Sequence, residues 1–407
     1  MTTTAQALRP GDIDLADPDS FRDGVPYEYF RALRREAPVH WNPLPDGGGF
    51  WALTKYDDVV AVSMDPVTFS SERHGVTISD LPPGQGDAAR RMLLFMDPPK
   101  HTKYRRLVSK GFTPKIVREM EPHVRRLAAA IIDGVAERGE CDFVSDLAAE
   151  LPLMVILELL GVPVEDRRMI FDLSNRLIGF DDPEYAEGIQ DSVAASLSMF
   201  AYANQLAAER RRAPRDDVVS VLLRAEVDGE ALSEVEFNAF FLLLAVAGNE
   251  TTRNLIAGGM QALFEHPDQW QALKADPALL DTAVDEMLRW VAPVIYFRRT
   301  ATRDTVIRGR RIREGDRVVM YYGSANRDED VFENAETFDI RRYPNPHVTF
   351  GPGGTHFCLG ANLARLEIRV FFEELIRRLP DIEPAGPVER LRSNFVAGIK
   401  RMPVRWR

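Results

Sequence analysis

One of the chain's two cysteines, Cys358, lies in a glycine-rich loop, Phe350-Gly351-Pro352-Gly353-Gly354-Thr355-His356-Phe357-Cys358-Leu359-Gly360. The other, Cys141, is far away in sequence, so neither a disulfide framework nor a zinc site is suggested. Glycines of this density let a backbone turn tightly against something flat. The residues that follow, Ala361 to Arg369, read as a helix, which places Cys358 just before a helix N-terminus. Free N–H groups and aligned peptide dipoles there should lower the thiol pKa and stabilise a thiolate. One shielded thiolate of this kind suits axial ligation of haem iron. A zinc half-site at His356-x-Cys358 lacks a second pair of ligands. A phosphate loop fails too, because no G-x-x-x-x-G-K-[ST] exists and His356 stands where a third dinucleotide-loop glycine would be.

A second group interrupts the most apolar stretch of the chain: Gly248-Asn249-Glu250-Thr251-Thr252. A glycine, an acid and two hydroxyls are costly inside a buried helix. They read either as a kink with back-bonded threonines or as a groove for small ligands beside Gly248, with Glu250 and Thr251 handling protons. Glu286 and Arg289 are three apart and share a helix face; with Arg342 they can form a buried structural triad that fixes the segment carrying the cysteine loop. His101 and Arg105, four apart, read either as a solvated helix face or, with Arg299 and His356, as donors to the two propionates of haem.

These groups need elements to hold them. Helical periodicity is expected over Pro26–Glu36, Thr102–Lys110, Pro114–Arg138, Leu151–Leu160, Glu165–Leu177, Glu184–Arg212, Ser233–Phe264, Pro277–Arg289 and Ala361–Arg378. Helix Ser233–Phe264 opens on a capping-box pattern, Ser233-x-x-Glu236. At ~1.5 Å per residue it would run nearly 50 Å, and it is apolar nearly all round, so it should cross the protein's centre. Short strands are expected at His40–Trp41, Gly49–Leu53, Ile295–Arg299 and Arg317–Tyr321. Ser70 to Met96, with Pro82, Pro83, Gly84 and Gly86, reads as a long binding loop.

The 407 residues are 45% hydrophobic, enough for a large core, and no linker or composition break divides them, so one domain spanning 1–407 is expected. No segment reaches the ~20 apolar residues of a membrane span, and no signal peptide opens the chain, so a cytoplasmic, monomeric protein without a membrane anchor is expected. A net charge of −11 argues against nucleic acid as a partner. Against that acidity, nine Lys/Arg face only Glu119 and Glu121 between Lys100 and Arg126. This is either an ordinary solvated face or a docking patch for an acidic electron carrier.

Taken together, Ala247–Thr252, Glu286-Met287-Leu288-Arg289 and the Cys358 loop, in that order and spacing, resemble the cytochrome P-450 superfamily over nearly the whole chain. The resemblance implies a mainly α fold with small β-sheets, holding haem b between the long central helix and the cysteine-loop helix. It implies Cys358 as proximal iron ligand, Glu250 and Thr251 as a proton-delivering acid–alcohol pair, and propionate contacts at His101, Arg105, Arg299 and His356, with Gly248 and Phe350 against the cofactor. An apolar substrate pocket would be lined by the Ser70–Met96 loop, Leu244, Val246, Val294, Ile295, Phe395 and Val396. Phe350 lies eight residues before Cys358, one more than the family's usual spacing. That extra residue, with stretches such as Thr251-Thr252-Arg253-Asn254 and Gly398-Ile399-Lys400, looks like an actinobacterial subgroup that oxidises terminal methyl groups of cholesterol-type steroids and methyl-branched lipids. Electrons would come from a separate ferredoxin and its reductase. The competing readings are a hydroxylase tailoring a polyketide or terpenoid, and a haem-thiolate binding protein without oxygenase activity.

Overall fold

The computed structural model describes residues 9–45, 47–80 and 90–407. The N-terminal part forms α1 (Tyr27–Glu36), α2 (Tyr56–Met64), α3 (Lys100–Ser109) and α4 (Pro114–Ala136). The middle forms α5 (Glu150–Leu160), α6 (Arg167–Ile178), α7 (Ile189–Arg212), α8 (Val218–Leu223) and α9 (Glu234–Glu265). After these come α10 (Pro267–Ala275), α11 (Leu280–Val291), the short α12 (Tyr322–Ala325) and α13 (Ala361–Arg378). Pro267 explains why α9 stops and α10 starts: it cannot continue a helix but suits a first turn. Helix α7 begins at Ile189, five residues later than the periodicity predicts. Gly188 has φ +110°, and the acids before it are spent on the α6–α7 loop, where Asp182 accepts from the Arg392 and Glu184 amides.

The strands are short: β1 (Val39–Pro43), β2 (Gly49–Leu53), β3 (Phe69–Ser70), β4 (Glu140–Asp142), β5 (Glu226–Val227) and β6 (Glu230–Ala231). Then follow β7 (Tyr296–Ala301), β8 (Thr305–Ile307), β9 (Arg310–Ile312) and β10 (Arg317–Tyr321). The last are β11 (Glu383–Pro384), β12 (Glu389–Arg390), β13 (Ile399–Arg401) and β14 (Pro403–Arg405). The largest sheet has the order β1-β2-β10-β7-β3. Its β2–β10 pair is parallel, with Val318 opposite Trp51, and the remaining pairs are antiparallel. Elsewhere β14 joins β4 to β11, with Val404 opposite Cys141.

The largest core cluster gathers side chains of α4, α5, α9, α11 and α13, and two smaller clusters flank the main sheet. Helix α9 is buried along most of its length, as an all-round apolar helix must be. Its N-terminus carries the capping box: Ser233 N donates to Glu236 Oε2 at 2.9 Å, and Glu236 N donates to Ser233 Oγ at 3.4 Å. Among the described residues no helix is long and apolar enough to cross a membrane. Pro82, Pro83, Gly84 and Gly86, the heart of the expected binding loop, lie outside the described residues.

Candidate functional site

Gly351, Gly353 and Gly354 have φ of 84°, 121° and 76°, a region that disfavours other residues, and these turns fold the loop back so that Cys358 N donates to the Phe350 carbonyl at 2.8 Å. The loop is seated on the end of α2. A Cβ on Gly354 would stand 3.1 Å from Ser63 O and 3.2 Å from Met64 Sδ, so a side chain at this position would crowd the end of α2. Nothing in the sequence signalled this contact. The expected lowering of the Cys358 pKa is reversed: burial pushes the thiol up, and the Gly360 N–H, Arg105 and Arg365 oppose it without prevailing. Desolvation of a thiolate outweighs the helix end here.

The expected propionate donors divide in two. His101 is buried beside His356, ring centres 4.3 Å apart, with its Nδ1 lacking a partner. Arg299 is buried as well, and among the described residues its guanidinium donates only to the Arg298 carbonyl, at 2.8 Å. Arg105 instead donates to the carbonyls of Thr355 (3.3 Å) and Phe357 (2.6 Å), which makes it a brace for the cysteine loop. His356 donates to the Met96 carbonyl at 3.1 Å and touches Ser71 Oγ at 3.3 Å. Burial and the neighbouring cations keep both imidazoles neutral, His101 pulled down to about 4 and His356 to about 2. Among the described residues Arg299 has no ion-pair partner, although Asp97 acts on it from a distance, and a buried guanidinium beside an unpaired ring nitrogen suits an anion. The pair adjoins the cysteine loop through His356, so the residues fit a haem whose propionates are held by Arg299 and His101. Phe350 is covered by the Arg365 guanidinium, 4.7 Å from its ring centre.

Helix α9 runs unbroken through Gly248–Thr252, and Thr251 Oγ1 donates back to the Ala247 carbonyl at 2.9 Å. In an otherwise buried stretch, Ala247 is exposed and Leu243, Gly248 and Thr251 are half-buried. Their spacing puts them on one side of the helix, which therefore borders open space. Leu243 and Ala247 were absent from the expected pocket lining; Leu244 and Val246, expected there, are each 9% exposed. A Cβ on Gly248 would meet Ile156 Cγ1 at 2.6 Å, so this glycine lets α5 approach α9. Glu250 does not bond Thr251. It is buried and paired with Arg253, its Oε1 left unpartnered.

Val294 pairs with Val396 in an isolated bridge, and Ile295 N donates to the Phe395 carbonyl at 2.9 Å, so these two segments come together. Ile295 itself packs into the cluster of Phe30 and Tyr321, and the Phe395 ring lies 5.3 Å from Tyr296. The expected triad also assembles, with Glu286 and Arg289 fully buried and Arg342 half-buried. Arg289 Nε and Nη2 each donate to Glu286 at 2.8 Å, and Arg342 Nε donates to Glu286 Oε2 at 3.1 Å. Arg289 also donates to the Asn326, Ala335 and Thr337 carbonyls, stitching α11 to the irregular segment before the cysteine loop.

Comparison with known proteins places this geometry. The cytochrome P450 family profile matches residues 166–390. A steroid C26-monooxygenase of Rhodococcus jostii is 47% identical over 99% of this chain and 86% of its own length. A methyl-branched lipid omega-hydroxylase of Mycobacterium tuberculosis is 46% identical over 100% of this chain and 98% of its own. Among solved structures, a Mycobacterium marinum cytochrome P450 in complex with pseudoionone superposes with a TM-score of 0.92 at 40% identity, covering 99% of this chain and 100% of that one.

Proposed function

Because the chain belongs to the cytochrome P450 family and is a monooxygenase, we propose that it hydroxylates a terminal methyl group of a steroid or methyl-branched lipid, with electrons delivered by a ferredoxin. The observation that carries the haem reading is the buried Arg299 guanidinium, without an ion pair among the described residues, together with the unpartnered Nδ1 of neutral His101 beside the Cys358 loop. Haem, when bound, supplies the dioxygen chemistry, with the Cys358 sulfur as its thiolate and the second oxygen atom leaving as water.

The protein's own residues do the rest. Arg299 and His101 bind the propionates and so fix the orientation of the cofactor. Arg105 holds the loop carbonyls of Thr355 and Phe357, and with them the position of the sulfur. Thr251 presents a hydroxyl on the accessible side of α9, where it orients and passes protons that Glu250 supplies. Leu243, Ala247, Val294 and Phe395 offer apolar surface without a charged group, suited to a hydrocarbon substrate. For the electron donor, Arg106 and Arg118 remain exposed on α3 and α4 without an ion-pair partner among the described residues, whereas Arg125 is spent on Glu121, Glu373 and Glu374. An acidic ferredoxin fits that face.

The test is a spectral titration of the ferric enzyme with cholest-4-en-3-one, a methyl-branched fatty alcohol and a macrolide, followed by product analysis. The expected result is tight binding of the first two and a hydroxyl on their terminal carbon. Preferential binding and turnover of the macrolide would replace this reading with polyketide tailoring.

A further inference from the structure

Glu250 must lose and regain a proton, and its surroundings show how the carboxyl is held for that. It is three residues from Arg253, so the two share a face of α9, and Arg253 Nη2 donates to Glu250 Oε2. That face is turned about 100° from Thr251. It looks toward α6, where Arg253 Nη1 donates to Asn175 Oδ1 at 2.8 Å and the guanidinium lies 5.6 Å from the Phe171 ring centre. Glu250, Arg253 and Asn175 are 2%, 5% and 9% exposed. Around the pair, Glu250 Oε1, Arg253 Nε and both polar side-chain atoms of Asn249 have no partner. Burial pushes the Glu250 carboxyl up, and Arg253 is the charged group that opposes it. Tyr185 of the α6–α7 loop also feels the pair, with Glu184 and Lys400 beyond it.

We propose that Arg253 is a positioning residue that holds the Glu250 carboxyl on the side of α9 facing α6 and favours its charged form, so that the carboxylate is recharged from that side before serving Thr251. This rests on the proton-relay reading. In the step, a hydronium ion from solvent breaks one of its O–H bonds as a new one forms at Glu250, leaving water. The new bond breaks as the proton leaves toward Thr251, and the negative charge returns beside the Arg253 guanidinium. Asn175 fixes Arg253 and ties the relay to α6.

Infrared spectra of the ferric holoenzyme between about pH 5 and 9 test this directly. Arg253→Met keeps the aliphatic stem and removes the charge. It should show, at neutral pH, a stronger protonated-carboxyl band than the wild type, one that disappears when Glu250→Gln is added. Product formed per reducing equivalent should fall at least tenfold, within the range for loss of a positioned proton carrier, and Arg253→Lys should restore both signals in part. A band and pH profile identical to wild type, even with a lowered Tm, would make Arg253 merely structural and overturn the proposal. If Arg253→Met does not fold, Asn175→Ala should move the carboxyl midpoint upward by a smaller amount, and an unmoved midpoint overturns it equally. Unchanged coupling in Glu250→Gln would instead sink the relay itself.

Discussion

Thr251 and Gly248 lie three residues apart on the accessible side of α9, and their substitutions should separate chemistry from packing. Among the described residues Thr251 Oγ1 makes one hydrogen bond, back to Ala247 O at 2.9 Å. Thr251→Ala should therefore leave stability within about 0.5 kcal/mol of wild type. It should nevertheless divert reducing equivalents from product to peroxide, with product falling tenfold or more. Gly248→Ala should behave in the opposite way. Its new methyl would overlap Ile156 Cγ1, 2.6 Å away, at a cost of about 1–3 kcal/mol in thermal unfolding. At this scale residue type was legible and direction was not. Glu250 and Thr251 stood out because an acid and a hydroxyl are expensive to bury, and Cys358 because of the glycine-rich loop that presents it. That Glu250 turns to Arg253 and that Arg105 turns to two carbonyls depend on neighbours brought in by the fold.

The start of helix α9 shows how an element is fixed by more than its local signal. The spacing Ser233-x-x-Glu236 announces a capping box, and the box is present. The sequence pattern does not announce that the same carboxylate also accepts from Tyr104 Oη of α3 and from Arg91 Nη1 at 3.2 Å. Burial alone would raise the Glu236 pKa, but bonds from Tyr104, Ser233 and Arg91 bring it down to about 2. Because the folded value lies below the ordinary 4.5, the stabilisation is complete above about pH 4.5 and is lost as pH falls toward 2. Glu236→Gln should lower Tm at neutral pH, and its difference from wild type should shrink steadily through that acid window. A constant difference across the window would place the effect elsewhere. Most helices were legible from apolar period alone; α2, α8, α10 and α12 were missed because each is too short to show one.

Across the whole molecule, the buried Glu286–Arg289–Arg342 group joins α11 to the segment leading into the cysteine loop. Glu286→Ala would strand two guanidinium groups and should cost about 3–5 kcal/mol in denaturant unfolding, with loss of haem retention before loss of helix. Glu286→Gln, which keeps an acceptor, should cost less. The local Glu-x-x-Arg spacing made this pair visible; the loop's seat on α2 was invisible, since nothing local links Met64 to Gly354. One pairing described earlier also bears on the timing of synthesis. Strand β14 closes on β4 with Val404 opposite Cys141, and Trp406 donates through its backbone to Gly139 (2.9 Å) and through its indole to Ala136 (2.8 Å). The end of α4, made in the first half of translation, therefore waits for residues 403–406 before its last partners arrive. The long helices can form on the emerging chain, but this seam closes only after Cys358 has been made, so the thiol is in place before the fold is locked around it.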